Sequence, residues 1–385
     1  MHVPPDDIPD FLGDAPGYTW SVLRDGIVRR AISLCAAGFE RAEIPDGVLT
    51  LVRDAVPFDF VCWGLLDPVT HLPVSNSSGV LGLRGTAAAA VGERVWEYEL
   101  TVPDVITLRE LLHSKPSVGI LSVATGGDPT VSPRYRGLLG PQLDVTDELR
   151  AALTVGGVGW GWLSLMRRDG TPFAERDGAR IAALVPHLGA ALRAAALRAT
   201  GLAAAGDGTT PAGAGVLIVD VDGNLLSATS TGRDLLDLLP IRDGAATPGV
   251  LRAVALTLRD RQPLEPARLR VPGRDGGWIY LEAAPLSGAG DRIAVTLQRA
   301  GRAELCPIAL RAHGLTARES EVTMYVLRGE STRQIADRLS VSPWTVQDHL
   351  KAIFAKVGVR SRRDLAMQIF LSPDRPAPAN AARRS

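Results

Sequence analysis

The chain has 385 residues, 46% of them hydrophobic and 22% charged, with no formal net charge. That length supports two or three domains, and the composition is that of a globular protein, excluding a fully disordered or fibrous chain. The neutrality is a sum of unlike parts. Residues 311–370 hold 10 Lys+Arg against 6 Asp+Glu, residues 371–385 add two net positive charges, and residues 1–310 carry six net negative ones. A basic end on an acidic body suits a DNA-binding module attached to something that does not bind DNA. Cys35, Cys62 and Cys306 are widely spaced and form no CxxC, so neither a disulfide framework nor a zinc site is expected, and a reducing cytoplasm is. The acidic, proline-rich start is unlike a signal peptide, and no run approaches the roughly 18 apolar residues of a membrane span.

In chain order, residues 1–20 read as a loose arm. Helical periodicity follows, with Leu23, Ile27, Ile32 and Leu34, then Val48, Leu51 and Val52, until Pro57. The continuous apolar run 58–66 predicts a buried strand, and Asp67–Pro68 a turn into a second strand near 72–75. Residues 84–153 are helical in patches, broken by proline and glycine. Residues 157–167 predict a strand with Trp160 and Trp162 on one face. A long helix follows from Phe173 to about Ala199, with Ile181, Leu184, Val185, Leu188 and Leu192 along one stripe. This outline resembles a GAF-type sensory domain over 21–200, which implies an antiparallel sheet packed on helices. Cys62, Trp63, Trp160 and Trp162 are its candidate ligand-pocket residues, for a small apolar or aromatic ligand, although core packing is the commoner fate of such side chains.

Residues 201–214 are small and glycine-rich, a flexible linker. Beyond them come two strands around the Asp222–Gly223 turn, two helices (232–239 and 250–259) and three strands (268–271, 278–285 and 292–298). Two strands, helices, then three strands over 215–300 resemble a PAS module. Residues 371–385, rich in Pro, Ala and Arg, predict a disordered tail.

Four short helices are expected within 311–370. Thr316 with Glu319 and Ser331 with Gln334 are capping boxes, Ser342 precedes Pro343, and Ser361 precedes Asp364. Gly329 and Gly358 stand where helices should stop. Two short helices joined around Ser340–Val341 describe a helix-turn-helix. The pattern LTxRExEV, then GxS…IAxxLxVSxxTVxxHLxxIxxKxGVxSR, resembles the DNA-binding domain of LuxR-type bacterial transcription regulators. Thr332 and Gln347 stand where that family usually has Asn and Lys, which bears on site preference rather than on fold.

The second helix of the pair, about 343–356, must turn Val346, Leu350 and Ile353 toward the core. Trp344, Gln347, Asp348 and Lys351 then share the outer face, at i, i+3, i+4 and i+7. Gln pairs with adenine, Lys with guanine, and Asp accepts from cytosine, so Gln347, Asp348 and Lys351 are the candidate base contacts, the positions the resemblance also indicates. Candidate backbone contacts are Ser331, Thr332, Ser342, Trp344, Thr345, Lys356, Arg360, Arg362 and Arg363. The resemblance further implies a dimer interface on the fourth helix, at Leu365, Ile369 and Phe370. A plain solvated helix face, simple capping, and packing within the domain are the respective alternatives.

The expected fold class is therefore multidomain α+β: GAF-like and PAS-like antiparallel-sheet modules followed by an all-α four-helix DNA-binding module. No catalytic constellation, metal site or cofactor is expected. The expected partners are double-stranded DNA, a second copy of the chain, a small-molecule ligand in a sensory domain, and RNA polymerase, with no membrane. An acyl-homoserine-lactone pocket in the first module is the alternative input. A phosphorylated receiver is disfavoured by the lack of βα repeats, and a GAF/PAS-regulated enzyme by the lack of a segment large enough for an output domain.

Overall fold

The computed structural model describes residues 20–36, 46–75, 86–203, 213–241, 247–259, 266–287 and 291–371. The expected arm, most of the linker and nearly all of the tail lie outside them.

The first module opens with α1 (Trp20–Ala36) and α2 (Asp46–Ala55), then β1 (Phe60–Leu65). The second strand expected after the Asp67 turn is reduced to a single bridge between Leu66 and Pro73. The patchy middle resolves into α3 (Thr86–Thr101), α4 (Leu108–His113), β2 (Val118–Ile120), α5 (Leu121–Ala124), helical turns at Pro129–Val131 and Tyr135–Leu139, and α6 (Gly140–Leu143). It ends in a strand that the sequence reading did not find, β3 (Asp147–Val155), paired with β4 (Val158–Arg167). The antiparallel order is β1-β4-β3-β2. Every residue of β4 is buried, because the sheet is covered on both faces. The long helix α7 (Glu175–Ala203) lies on one face, with Ile181, Leu184, Val185, Leu188 and Leu192 in the core as the stripe predicts. By length and composition residues 175–200 could cross a membrane, but burial of this stripe against the sheet marks a core helix.

The second sheet comprises β5 (Gly215–Asp220), β6 (Leu225–Ala228), β7 (Ala267–Pro272), β8 (Trp278–Pro285) and β9 (Arg292–Arg299), in the order β6-β5-β9-β8-β7. Its alternating burial packs one face on α8 (Ser230–Leu236) and α9 (Gly249–Arg259) and leaves the other mostly half-buried. This is the two-strand, helix, three-strand arrangement expected of a PAS-like module.

The two sheet modules are joined physically. Leu256 of α9 packs with Trp96 of α3, and Trp96 meets Trp162 edge-on at 5.8 Å between ring centroids. Asp67, fully buried, accepts hydrogen bonds from the backbone N–H of Arg270 at 3.0 Å and from its guanidinium at 3.3 Å. Arg270 in turn donates through Nε to the carbonyl of Glu304. Glu304 belongs to α10 (Arg302–Ala312), a connecting helix absent from the sequence reading. Leu305, Ile308 and Ala312 of α10 join the large core, whereas Cys306 and Leu310 join that of the last four helices.

Those helices are α11 (Ala317–Leu327), α12 (Thr332–Leu339), α13 (Pro343–Val357) and α14 (Arg362–Leu371). The expected capping boxes at Thr316/Glu319 and Ser331/Gln334 are formed. Ser342 caps α13 by accepting from the N–H of Thr345, and Gly358 closes it in the left-handed region at φ 77°.

Candidate nucleic-acid interface

The apolar stripe of α13 decides which side faces outward. Val346, Leu350, Ile353 and Val357 are buried with Val322, Val326, Ile335 and Leu339 of the preceding helices. Trp344, Gln347, Asp348 and Lys351 are left exposed together, as the spacing predicts. Lys351 donates to Asp348 at 3.1 Å, and its ammonium lies 5.6 Å from the centre of the Trp344 ring. Gln347 is exposed one turn along from Trp344. The surface thus offers one amide, one large apolar ring, and one cation whose charge is largely matched by its carboxylate neighbour.

The candidate backbone contacts divide. Ser331, Ser342 and Thr345 are exposed at helix starts, their hydroxyls engaged in capping. Arg360 and Arg363 are exposed beside the C-terminal end of α13. Thr332 and Arg362 are tied to each other at 2.7 Å, and Arg362 also donates to the carbonyl of Glu330. Lys356 is held by both carboxylate oxygens of Glu319, at 2.6 and 2.9 Å. Lys356 and Arg362, both candidate backbone contacts, each also close a contact between helices. For Glu319, burial opposes ionisation, but hydrogen bonds from Lys356 and Thr316 outweigh it and hold the carboxyl below its ordinary range.

The expected dimer residues also separate. Leu365 is fully buried in the four-helix core, so it cannot present a surface to a second copy. Ile369 is half-buried against the same core, and the side chain of Phe370 lies outside the described residues. Among the described side chains of α14, Met367 is the large apolar one that is exposed.

In the first module, the four candidate pocket residues do not line one cavity. Trp63 and Trp160 belong to the large core, whereas Trp162 packs with Trp96, Leu66, Leu108 and Leu256. The register of β3 and β4 shifts between Leu153 and Thr154, opposite Trp160, which breaks the simple alternation that put both tryptophans on one face. Half-buried Cys62 packs beside Trp162.

The sheet face that carries Cys62 and Trp162 instead holds a buried ionic network. Arg134 pairs with Glu148 at 2.8 Å, Arg150 with Glu99 of α3 at 2.7 Å, and Ser164 donates to Glu148 at 2.5 Å. Burial works against the charge of Arg150, but Glu99 and Glu148 outweigh it and raise its pKa. The cue available in the sequence was the cluster of charges Asp147, Glu148 and Arg150 leading into the mostly apolar run 151–155, all within β3. Among the described residues no group of three or more His, Cys, Asp or Glu is placed to hold a metal ion. Burial lifts the Cys306 thiol to about 11, which leaves it protonated and unreactive at neutral pH.

Comparison with known proteins bears on the C-terminal helices first. The family model described as bacterial regulatory proteins, luxR family, matches residues 313–369. A helix-turn-helix-type transcriptional regulator of Mycobacterium tuberculosis is 42% identical over 72 residues, which is 19% of this chain but only 8% of that protein. The C4-dicarboxylate transport transcriptional regulatory protein DctR of Rhodobacter capsulatus is 31% identical over 160 residues, covering 40% of this chain and 75% of that protein. Among solved structures, the GAF domain of a phosphoenolpyruvate-protein phosphotransferase from Coxiella burnetii is 22% identical, with 48% of this chain and 99% of that one covered and a TM-score of 0.30. A Vibrio VqmA–ligand–DNA complex is 21% identical, with 42% and 83% covered and a TM-score of 0.21.

Proposed function

Because the chain belongs to the luxR family of bacterial regulatory proteins, we propose that it is a sequence-specific DNA-binding transcription regulator acting in the cytoplasm. In this reading α13 is the recognition helix, and Gln347, Asp348 and Lys351 meet base edges in the major groove. Exposed Ser331, Ser342, Thr345, Arg360 and Arg363 hold the phosphate backbone, and Trp344 lies at the groove. Two copies bind one site through the outer face of α14 around Met367. The observation that carries this reading is the orientation of α13. Its apolar stripe is consumed by the core, and its capped first turn is left outward with a polar surface.

The upstream modules regulate DNA binding in response to a small molecule or partner. What supports this is a continuous path of contacts. The GAF-like sheet meets α3, α3 meets α9 of the PAS-like module, and Asp67 and Arg270 lead to α10, which enters the core of the DNA-binding helices. A signal that favours one arrangement of these elements changes the population competent to bind DNA.

The test is selection of duplexes from a randomised pool by the full-length protein, followed by titration at several salt concentrations. The reading requires an enriched sequence and an affinity that falls as salt rises. Binding that is absent, or that ignores sequence, refutes it. Gln347→Ala should relax preference at one base position, costing about 1–3 kcal/mol of discrimination there.

A further inference from the structure

We propose that Trp344 is a base-reading residue that recognises the C5-methyl group of thymine, so that the preferred site places A·T pairs under the first turn of α13. The inference rests on the DNA-binding reading of α13 and specifies what its surface selects.

Trp344 occupies the second position of α13, directly after Ser342 and Pro343. It is 75% exposed, more than any other large apolar side chain among the described residues. The buried core does not use that ring. The core beneath it is filled by Val346, Leu350 and Ile353, and tryptophan adds nothing to helix propensity over a straight-chain polar residue.

The ring is nevertheless placed. The Lys351 ammonium lies 5.6 Å from its centre, and that ammonium is anchored 3.1 Å from Asp348. The cation–π contact and the ion pair together draw the indole along the helix surface toward its middle turns. They also spend much of the Lys351 charge locally, leaving Trp344, Asp348 and Lys351 neutral as a group. A neutral group headed by an aromatic ring is poorly matched to a phosphate. It is well matched to the one apolar feature on a major-groove base edge, the thymine methyl. Gln347, one turn along the same face, has the donor and acceptor that pair with adenine N6 and N7. Both side chains therefore favour A·T pairs, and a methyl-reading Trp344 fixes which strand carries the thymine.

The experiment uses the full-length protein and a duplex selected from a randomised pool. That duplex is resynthesised with deoxyuridine replacing thymidine at one position at a time, which removes a methyl and leaves base pairing unchanged. Wild-type protein should lose about four-fold in affinity at one or two positions, the value of one buried methyl. Trp344→Ala should bind the thymine duplex more weakly and show no further loss with uracil, at an unchanged melting temperature, since the side chain lies outside the buried core. Uracil that leaves wild-type binding unchanged at every position overturns the proposal. So does an equal uracil penalty in wild type and Trp344→Ala, which would place the ring on the sugar–phosphate backbone. Failure to enrich any sequence removes the DNA-binding reading as well. Enrichment without methyl sensitivity removes only the role of Trp344.

Discussion

The two sheet modules share a buried ion pair formed by Asp67 and Arg270, and Asp67→Ala tests it. Asp67 is completely buried and accepts three hydrogen bonds, from the N–H of Val69 at 2.8 Å, the N–H of Arg270 at 3.0 Å and the Arg270 guanidinium at 3.3 Å. Truncation strips these donors of their acceptor and leaves a guanidinium with 9% side-chain exposure without its counter-charge. Arg270 keeps its bond to the Glu304 carbonyl and its place near the Tyr280 ring, which limits the loss. Removing one member of a buried pair costs about 3–5 kcal/mol. Asp67→Asn retains an acceptor and should cost about 1–3 kcal/mol. Combining Asp67→Ala with Arg270→Met removes the stranded charge, so the double variant should be more stable than the sum of the single losses predicts, by at least about 1 kcal/mol. Urea unfolding followed by tryptophan fluorescence and far-ultraviolet circular dichroism reads these differences. Asp67→Ala within about 0.5 kcal/mol of wild type, or single effects that simply add, would refute the argument.

Further outcomes follow from the C-terminal helices. Leu365→Ala should destabilise the four-helix module by about 2–5 kcal/mol in chemical denaturation, whereas Met367→Ala should leave stability unchanged and weaken self-association on DNA in sedimentation experiments. The folded-state pKa of Glu319 is lowered from 4.5, so its stabilisation is complete above that value and is lost as pH falls through the lower folded value. The thermal advantage of wild type over Glu319→Gln should therefore be present at pH 7 and shrink on acidification below 4.5, and a pH-independent difference would contradict the ion pair with Lys356. Gly358→Ala forces an L side chain into φ 77° and should cost about 1–2 kcal/mol by circular dichroism melting.

The four C-terminal helices were legible residue by residue, because their signals are local. A cap and its partner are three residues apart, and the inward and outward faces of α13 follow from a period of 3.6. Most strands of the PAS-like sheet were legible for a similar reason, since short apolar runs sit between glycine-rich turns. β3 was not, because Asp147, Glu148 and Arg150 give it a polar appearance. Their burial is tolerable only because partners arrive from elsewhere. Ser122 and the Phe173 N–H bond to Asp147, while Arg134 and Ser164 bond to Glu148 and Glu99 to Arg150. Similarly, the separation of Trp160 from Trp162 depends on a register shift against the neighbouring strand, and no alternation rule within β4 contains it.

By itself, then, the sequence determined where the C-terminal helices start and stop and which face of α13 stays outside the core, since both rest on interactions within a few helical turns. Tertiary structure alone decided how those surfaces are used. It paired Lys356 with Glu319 and Arg362 with Thr332, buried Leu365 and left Met367 outside. It also joined Asp67 to a residue 203 positions away. Charge and burial are settled by whatever the rest of the chain brings within a few ångströms, and residue spacing along one helix or strand does not record that.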